Sequence, residues 1–338
     1  MLSEADLDEQ LSRPSGAVID FFARIPGDLL VLGASGKMGP SLALLARRGT
    51  NAAGVERKVT GVARFRDPGV REQLEAHGVR TIACDLTDRQ AVHDLPEAPL
   101  VILMAGQKFG TATDQPGTWG TNVLSAVHVA ERFPAARIVA FSTGNVYPFW
   151  EVSRGSPRES DPVGPVGEYA QSALGRERVL EFLSVRSGTP MAILRLNYAV
   201  ECRYGILHDL AQRIVRGEPI DLTTGHVNLI WQRDANAIAL RALEHVTSPA
   251  TILNVTGPDI LRIRDLGLRL GEHLGMPPVF TETEGPTALL SDARAAAALF
   301  GPLDTSIDEM VTMVAEWVRD GGRSLEKPTH YDSRDGAF

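Results

Sequence analysis

The sequence Leu29-Leu30-Val31-Leu32 runs directly into Gly33-Ala34-Ser35-Gly36-Lys37-Met38-Gly39, and Pro40-Ser41-Leu42-Ala43-Leu44-Leu45-Ala46-Arg47-Arg48 follows. The first part has the composition of a buried strand, and the last part has that of a helix. The glycines let the backbone turn sharply and approach a pyrophosphate, whose charge would be met by N–H groups at the start of the helix. A strand, a glycine turn and a helix in this order therefore predict a dinucleotide-binding turn rather than a plain strand-to-helix connection.

The length and composition are those of an ordinary globular protein. The 338 residues are 43% hydrophobic and 22% charged, with a formal net charge of −8, which favours neither nucleic acid nor an anionic membrane as a partner. Two cysteines, Cys84 and Cys202, are too few for a disulfide framework or a metal site, so we expect reduced, buried thiols and no metal. Since there is neither an apolar run of bilayer length nor a signal-peptide pattern at residues 1–6, we expect a cytoplasmic protein.

Strand and helix patterns alternate after the glycine turn. Further strands are predicted at 59–63, 79–83, 100–104, 137–141 and 191–194, with helices around 126–133 and at about 168–186. Short apolar runs of this kind suit a parallel sheet that is covered on both faces. The pattern predicts an α/β fold with a Rossmann-like, doubly wound parallel sheet.

Four regions are expected along the chain. They are an N-terminal helical extension (1–27), a dinucleotide-binding Rossmann domain (28–196), a smaller C-terminal substrate-binding region that partly returns to the sheet (197–325), and a tail of low apolar content (326–338).

The order and spacing of several short motifs resemble the extended short-chain dehydrogenase/reductase superfamily, specifically its NAD-dependent epimerase/dehydratase family. The resemblance covers about residues 28–320. Its motifs are the G-x-x-G-x-x-G turn at Gly33, Gly36 and Gly39, Asp85-Leu86, Met104-Ala105-Gly106, Asn122, Ser142-Thr143-Gly144-Asn145-Val146-Tyr147, Glu168-Tyr169 and Arg195-Leu196-Asn197-Tyr198.

This resemblance implies a site for a nicotinamide dinucleotide. The implied cofactor-binding residues are Gly33, Ser35, Gly36, Lys37, Met38, Gly39, Asp85, Leu86, Met104, Ala105, Gly106 and Tyr169. In the family an aspartate at the position of Asp85 contacts the adenine, although an aspartate before Leu-Thr is also common as a helix cap. Asn122 is expected to bridge a helix and the sheet.

The charge after the second predicted strand bears on the choice between NAD and NADP. An NAD enzyme commonly places an acid there for the ribose hydroxyls, but this chain has Arg64 and Arg66 and no acid before Asp67. A guanidinium binds a 2′-phosphate as a fork. We therefore expect NADP or NAD, with NADP slightly favoured, and Arg64 as the first candidate for that contact and Arg66 as the second.

The resemblance also implies a reaction centre, with one departure. Family enzymes use a hydroxyl residue, here Thr143, and a tyrosine, here Tyr169, followed four residues later by a lysine that lowers the pKa of the tyrosine. Ala173 stands at that position. Lys108, after the fourth strand, is the proposed replacement, whereas Arg176 is expected to pair with a carboxylate. The alternatives are that Tyr169 acts only as an acid, or that the protein binds a dinucleotide without turnover.

Polar residues beyond these motifs are the candidates for substrate binding. They are Gln107, Lys108, Asn145, Asn197, Arg203 and Trp231. Arg203 could bind a carboxylate or phosphate, and Trp231 could stack on a sugar ring or lie in the core. The function predicted is an NAD(P)-dependent oxidoreductase or epimerase that acts on a sugar, sugar acid or nucleotide sugar. The resemblance further implies a homodimer through the helices that carry Asn122 and Tyr169, and the alternative is a noncatalytic NAD(P)-binding regulator or scaffold.

Overall fold

The computed structural model describes residues 2–111 and 113–336. The strands are β1 (Leu29–Leu32), β2 (Val59–Ala63), β3 (Arg80–Ala83), β4 (Leu100–Leu103), β5 (Arg137–Thr143), β6 (Trp150–Glu151), β7 (Met191–Leu196), β8 (Ala199–Val200), β9 (Ile220–Asp221), β10 (His226–Val227), β11 (Ile230–Trp231), β12 (Thr251–Val255), β13 (Leu261–Arg262), β14 (Phe280–Thr281) and β15 (Thr287–Ala288). The helices are α1 (Glu4–Leu11), α2 (Gly16–Arg24), α3 (Gly39–Ala52), α4 (Pro68–Ala76), α5 (Arg89–His93), α6 (Gln115–Trp119), α7 (Ser125–Arg132), α8 (Gly167–Ser187), α9 (Ile206–Arg216), α10 (Gln232–Arg241), α11 (Ile263–Leu274), α12 (Arg294–Phe300) and α13 (Ile307–Arg319). A π-helical segment, Gly120–Leu124, joins α6 to α7.

Seven parallel strands form the main sheet. Their order is β12-β7-β5-β4-β1-β2-β3, so the direction of winding reverses between β1 and β4. This arrangement confirms the predicted Rossmann-like, doubly wound sheet. In such sheets ligands bind in the crevice outside the carboxyl ends of the strands at the reversal, which here follows Leu32 and Leu103.

Helices cover both faces of this sheet. Phe22 of α2 and Leu42 of α3 are fully buried on one face, and Ala126 of α7 and Leu180 of α8 are fully buried on the other. Every residue of β1 is at most 2% exposed. A strand buried on both sides needs apolar residues at consecutive positions, which is why 29–32 shows no alternation.

A second apolar core lies beside the sheet. It is built by α9, α11 and α13, with Leu207, Leu270 and Val314 fully buried. Helix α1 joins this core, whereas α2 packs on α3, so the N-terminal extension contacts both halves of the molecule. Strand β12 returns from the later half of the chain to pair with β7 at the edge of the main sheet.

The segment after residue 325, expected to be a tail, packs against the body of the protein. We call its described part, 326–336, the C-terminal strap. Tyr331 is 2% exposed, and the backbone N–H and hydroxyl of Thr329 donate to Asp209 at 2.8 and 2.6 Å. Arg213 and Asp332 form an ion pair at 2.8 Å. Polar contacts and one buried aromatic ring therefore hold a segment whose low apolar content suggested a free end.

No helix within residues 2–111 and 113–336 has the length and apolarity needed to cross a membrane. The same residues contain no group of three or more His, Cys, Asp or Glu side chains that could hold a metal ion. Cys84 and Cys202 are both free and buried.

Candidate active site

The glycine turn is packed tightly between β1 and the end of β4. Gly33 has a φ of +101°, and a Cβ added there would come within 2.6 Å of the backbone N of Ala105. A Cβ on Gly39 would meet the backbone of Ala34 at 2.6 Å. Helix α3 begins at Gly39 without a side-chain cap, and since the Gly39 N–H donates to Gly36 and Pro40 has no N–H, it is the positive end of the helix dipole that suits an anion there.

A cavity of about 340 Å³ opens beside this turn. It is bounded by the turn, the ends of β4, β5 and β7, the start of α8 and the C-terminal strap. Ten of the residues predicted from the sequence line it together, and they are Gly33, Gly36, Lys37, Met38, Met104, Gly106, Lys108, Thr143, Asn145 and Tyr169.

Tyr169 and Thr143 form a hydrogen-bonded pair in this cavity. Thr143 is the last residue of β5, and Tyr169 lies in the first turn of α8. Burial raises the pKa of Tyr169 above its ordinary value, while the hydrogen bond with Thr143 and the charge of Arg176 act in the opposite direction. The Thr143 hydroxyl also donates to Asn145 Oδ1 at 3.2 Å. A substrate oxygen held by Thr143 would thus lie near a phenol that can exchange a proton.

Arg176 places a cation in the cavity near Tyr169, where the sequence has Ala173 instead of lysine. Ala173 is fully buried against Val146 and Tyr147. Arg176, one turn further along α8, is 5% exposed and lines the cavity. Its Nη1 donates to the carbonyl of Ala105 at 2.9 Å, so the expected pairing with a carboxylate is replaced by a backbone contact. Its buried Nε has no hydrogen-bond partner among the described residues.

Lys108 and Lys37 both extend into the cavity. Lys108 Nζ donates to the carbonyl of Thr329 in the strap at 3.3 Å, and burial lowers its pKa to about 8. Lys37 Nζ donates to the carbonyl of Ala199 at 3.1 Å and lies 3.4 Å from the centre of the Tyr204 ring. Burial lowers the pKa of Lys37 to about 7. The charge of Arg176 acts on Tyr169, which makes Arg176 a second candidate, beside Lys108, for the missing lysine's role.

The other predicted cofactor residues lie at the rim of the crevice or beyond it. Arg64 and Asp85, which follow β2 and β3, form an exposed ion pair at 3.8 Å. The carboxylate of Asp85 also accepts hydrogen bonds from the backbone and hydroxyl of Thr87 at 3.0 and 2.7 Å, which lower its pKa. Arg66 adds a more distant positive charge. Ser35, Gly39, Leu86 and Ala105 adjoin the cavity-lining segments or the end of β3 in the chain.

Three of the predicted substrate residues lie away from the cavity. Arg203 is held by Asp8 at 2.9 Å and by Glu201 at 3.2 Å, so its guanidinium is already paired. Trp231 is 2% exposed and packs in the second core. Asn197 is 1% exposed and donates to the carbonyl of Leu289 at 3.3 Å. None of the three side chains lines the cavity: the guanidinium of Arg203 is paired, Asn197 is buried beside Leu289, and Trp231 lies in the core, which was one of the two positions expected for it.

Asn122 and Gln107 form a polar connection between α8 and the loop after β4. The Asn122 side chain accepts from the backbone N of Gln107 at 2.8 Å, and donates to the Gln107 carbonyl at 3.1 Å and to the Ser172 hydroxyl at 2.8 Å. The loop that carries Lys108 is thereby held in place. This geometry suits the bridging part expected of Asn122.

Sequence reasoning missed the strap side of the cavity. Lys327 and Thr329 come from the strap, and Tyr198 and Tyr204 come from the chain after β7. The tyrosines gave no signal in the sequence beyond their place after a strand end. The lysines did give a sequence signal. The chain has only four of them, one lies within the glycine turn (Lys37), and another follows the Met104-Ala105-Gly106 motif by two residues (Lys108).

A family model described as the NAD dependent epimerase/dehydratase family matches residues 29–256. The chain belongs to this family. The match spans the glycine turn, the Thr143 and Tyr169 pair and β12, so it includes the residues that build most of the cavity. The protein is therefore an enzyme of an NAD-dependent class, as the sequence motifs predicted. No curated protein has a significant sequence match to this chain.

Solved structures share the fold over nearly their whole length. UDP-glucuronic acid 4-epimerase from Bacillus cereus in complex with NAD has a TM-score of 0.72 and 17% identity, covering 88% of this chain and 99% of the epimerase. UDP-glucose 4-epimerase from Thermotoga maritima with UDP-glucose has a TM-score of 0.71 and 17% identity, with coverages of 87% and 99%. dTDP-glucose 4,6-dehydratase from Bacillus anthracis in complex with NAD has a TM-score of 0.71 and 12% identity, with coverages of 87% and 96%. At these identities the likeness shows the fold.

The residues around the glycine turn fit a dinucleotide. Glycine at 33 and 39 lets the turn pack directly on the backbone of Ala105 and Ala34, and the start of α3, which has no side-chain cap, presents the positive end of the helix dipole to a pyrophosphate. The cavity beside it holds the hydrogen-bonded Tyr169 and Thr143. A cofactor held by the turn would therefore have its reactive end on the side of this pair.

Proposed function

We propose that this enzyme interconverts a secondary alcohol and a ketone on a carbohydrate-like substrate, as an epimerase or a dehydrogenase, with Tyr169 as the proton-transfer residue. The observation that supports it is the hydrogen-bonded pair of the half-buried Tyr169 and the buried Thr143, both of which line the cavity next to the glycine turn. The solved relatives named above include epimerases of UDP-sugars, which supports a carbohydrate as the substrate.

Each residue of the pair has a distinct task. NAD, when bound, supplies the acceptor and donor of the hydride. Thr143 orients the substrate oxygen through its hydroxyl. Tyr169, as the phenolate, takes the proton of the substrate hydroxyl, and as the phenol it returns a proton to the ketone oxygen. Arg176 favours the phenolate through its charge, and cannot itself exchange protons because a guanidinium stays protonated.

The lack of a carboxylate among the residues next to Thr143 in the sequence favours an epimerase or dehydrogenase over a dehydratase. A dehydratase needs a further acid or base at the substrate, and Ser142, Gly144 and Asn145 surround Thr143. No aspartate or glutamate is found among the described residues that line the cavity. Lys108, first proposed as the replacement cation, is assigned here to the substrate side, where it contacts the strap.

Cofactor preference and assembly stay proposals. Asp85 faces Arg64, so the carboxylate offsets part of the charge that would attract a 2′-phosphate, and we propose NAD rather than NADP. Leu124 is 45% exposed, and Phe182 and Val185 on α8 are 62% and 61% exposed. These apolar side chains lie on the helical segments that carry Asn122 and Tyr169, and they support the proposed homodimer.

The proposed proton transfer is tested by Tyr169→Phe. We expect turnover with a panel of sugars, aldonates and nucleotide sugars to fall by about 10²–10⁴-fold, because the variant lacks the acid and base. NADH absorbance detects net oxidation, and chromatography of products detects epimerisation. Tyr331→Phe is the matched control, since it removes the hydroxyl of another buried tyrosine whose ring does not line the cavity. Turnover by Tyr169→Phe equal to that of the control would exclude the assignment.

A further inference from the structure

The lysines of this chain are concentrated in one place. The sequence contains four lysines, and Lys37, Lys108 and Lys327 line the same cavity. They come from the glycine turn, the loop after β4 and the C-terminal strap, so three distant segments each contribute one ammonium group. We call these three residues the lysine cluster. The fourth, Lys58, is an exposed surface residue whose Nζ lies 3.9 Å from a carboxylate oxygen of Asp28.

The cavity is strongly positive in a protein that is acidic as a whole. Arg176 adds a fourth cation, and the described residues that line the cavity include no carboxylate. The formal net charge of the chain is −8, so this local balance is opposite to that of the whole molecule. Arg176 is buried, Lys37 and Lys108 are half-buried and Lys327 is exposed, and charges removed from water are costly unless they are paired. A cavity of this kind is therefore suited to a negatively charged ligand.

The carboxylates nearest to the cluster are engaged elsewhere. Glu201 accepts from the backbone N of Arg203 at 3.0 Å and forms an ion pair with its guanidinium at 3.2 Å. Asp209 accepts two hydrogen bonds from Thr329, and burial raises its pKa. Both carboxylates act on Lys37 through space, but neither lines the cavity. Glu201 and Asp209 therefore offset part of the positive charge of the cavity without occupying it, and an anionic ligand would offset the rest.

The cluster faces the substrate rather than the glycine turn. Lys37 starts in that turn, yet its Nζ contacts Ala199 and Tyr204, which follow β7. Lys108 Nζ contacts the strap at Thr329, two residues from Lys327. The ammonium groups of Lys37 and Lys108 thus contact the segment after β7 and the strap, respectively. A pyrophosphate bound by the helix N-terminus would leave these groups for a second anion.

The strap limits the size of that second ligand. Its contacts with Asp209, the Arg213–Asp332 ion pair and the stacking of Arg334 at 4.1 Å on the Phe149 ring hold it across this end of the cavity. A volume of about 340 Å³ lies at the small end of ligand sites, and it must also receive the reactive end of the cofactor. The space suits a ligand of monosaccharide size.

We propose that the lysine cluster binds the carboxylate or phosphate group of a small polyhydroxylated substrate that carries no nucleotide. The inference rests on the proposed function for the hydroxyl chemistry and adds the class of substrate. It separates this enzyme from the structural relatives named above, which were solved with UDP-sugars or carry nucleotide-sugar names.

Binding of such an anion would be linked to protonation. The pKa of Lys37 is about 7 and that of Lys108 about 8, so both lose protons as the pH rises from 7 to 9. The charges that act on Lys37 are Glu201, Lys108, Asp209 and Lys327, and the charge that acts on Lys108 is Asp209. An anion raises both pKa values, because it stabilises the charged forms, and the affinity is therefore expected to fall over this pH range.

The test is calorimetry on the Tyr169→Phe protein with saturating NAD, so that binding is measured without turnover. The probes are inorganic phosphate, D-gluconate, D-glucose 6-phosphate, D-glucose and UDP-glucose. We expect the carboxylate or the phosphate probes to bind more tightly than D-glucose and UDP-glucose. Lys37→Met, Lys108→Met and Lys327→Met should each weaken that binding by about tenfold or more, as expected for a lost hydrogen bond between charged groups. Lys58→Met is the matched control and should change nothing.

Three outcomes would overturn the inference. The anion probes could fail to bind, D-glucose or UDP-glucose could bind as tightly as the anions, or the cluster variants could weaken NAD as much as the probes. The last result would indicate that the lysine cluster binds the pyrophosphate of NAD and not a substrate anion. A preference for gluconate or for the phosphate probes distinguishes the two anions. Because these readouts do not depend on Tyr169, they can fail while the proton-transfer proposal stands, and the reverse is also true.

Discussion

At the scale of single residues, Arg176 supplies a positive charge near Tyr169, where the family pattern has a lysine and this chain has Ala173. The guanidinium reaches the cavity from the next turn of α8 and is anchored by the carbonyl of Ala105. Since its charge acts on Tyr169 and a guanidinium stays protonated, the role we propose for it is electrostatic and not that of a proton carrier. The burial of Tyr169 raises the pKa of its hydroxyl, and a nearby cation is what keeps the phenolate accessible.

Arg176→Met is expected to lower kcat for alcohol oxidation by about 10²-fold, the lower end of what proton-transfer catalysis contributes. The charge of Arg176 lowers the pKa of Tyr169, so its removal raises that pKa, and the pH at which the oxidation rate increases should move upward. Arg176→Lys, which keeps a positive charge, should recover part of the rate. The measurement is the pH profile of kcat for the three proteins. A profile that keeps its position in Arg176→Met would contradict the electrostatic role.

At the scale of secondary structure, one buried ion pair connects α8 to the sheet beneath the site. Arg195 of β7 and Glu177 of α8 are 2% and 0% exposed and lie 2.8 Å apart. Glu177 also accepts from the hydroxyl of Ser142 at 2.5 Å, and Arg195 donates to the hydroxyl of Tyr147 at 2.8 Å. The pair therefore sets the position of α8 relative to β5 and β7, the elements that carry Tyr169 and Thr143.

Glu177→Ala is expected to reduce the free energy of unfolding by about 3–5 kcal/mol, because it leaves the buried guanidinium of Arg195 without its counter-charge. Glu181→Ala is the matched control on the same helix. Its partner Arg178 is 54% exposed, and such surface pairs contribute about 0–1 kcal/mol. Urea denaturation followed by circular dichroism measures both. Equal decreases in the free energy of unfolding in the two variants would show that the buried ion pair contributes no more to stability than the exposed one.

At the scale of the whole molecule, the cavity is completed by segments that are far apart in the chain. The glycine turn comes from the first βα unit, Tyr169 from the middle of the chain, and Lys327 and Thr329 from its end. The strap is held at both halves, by Asp209 and Arg213 of α9 and by the close approach of Gly336 to Gly167 at the start of α8. If the lysine cluster binds the substrate as proposed, binding is coupled to the docking of the last residues.

Truncation after Leu325 tests this coupling. We expect the shortened protein to bind NAD as the full chain does, because the glycine turn and α3 keep their contacts. Anion binding should weaken by about tenfold or more, since Lys327 and the Thr329 carbonyl that receives Lys108 are lost. Calorimetry with NAD and with the anion probes measures the two affinities. Arg334→Ala, which only loosens the strap at Phe149 and Thr287, supplies a full-length comparison if the truncated chain is unstable.

The sequence by itself determined the fold and the location of the cofactor turn. Apolar runs at 29–32 and 100–103 are local signals of strands buried on both faces, and the spacing of glycines at 33, 36 and 39 between a strand and a helix is a local signal of the turn. Thr143 and Tyr169 were also found from the sequence, because the family motifs place each at a defined distance from a strand or helix end.

Tertiary structure alone decided which polar side chains share the cavity. The sequence indicated Arg203 as an anion ligand, but in the structure its guanidinium forms ion pairs with Asp8 and Glu201. Trp231 packs in the second core. Lys108 and Thr329 meet across 221 residues of chain. Contacts of this range depend on how two cores and the strap pack together, and no local pattern of hydrophobicity or charge encodes that packing.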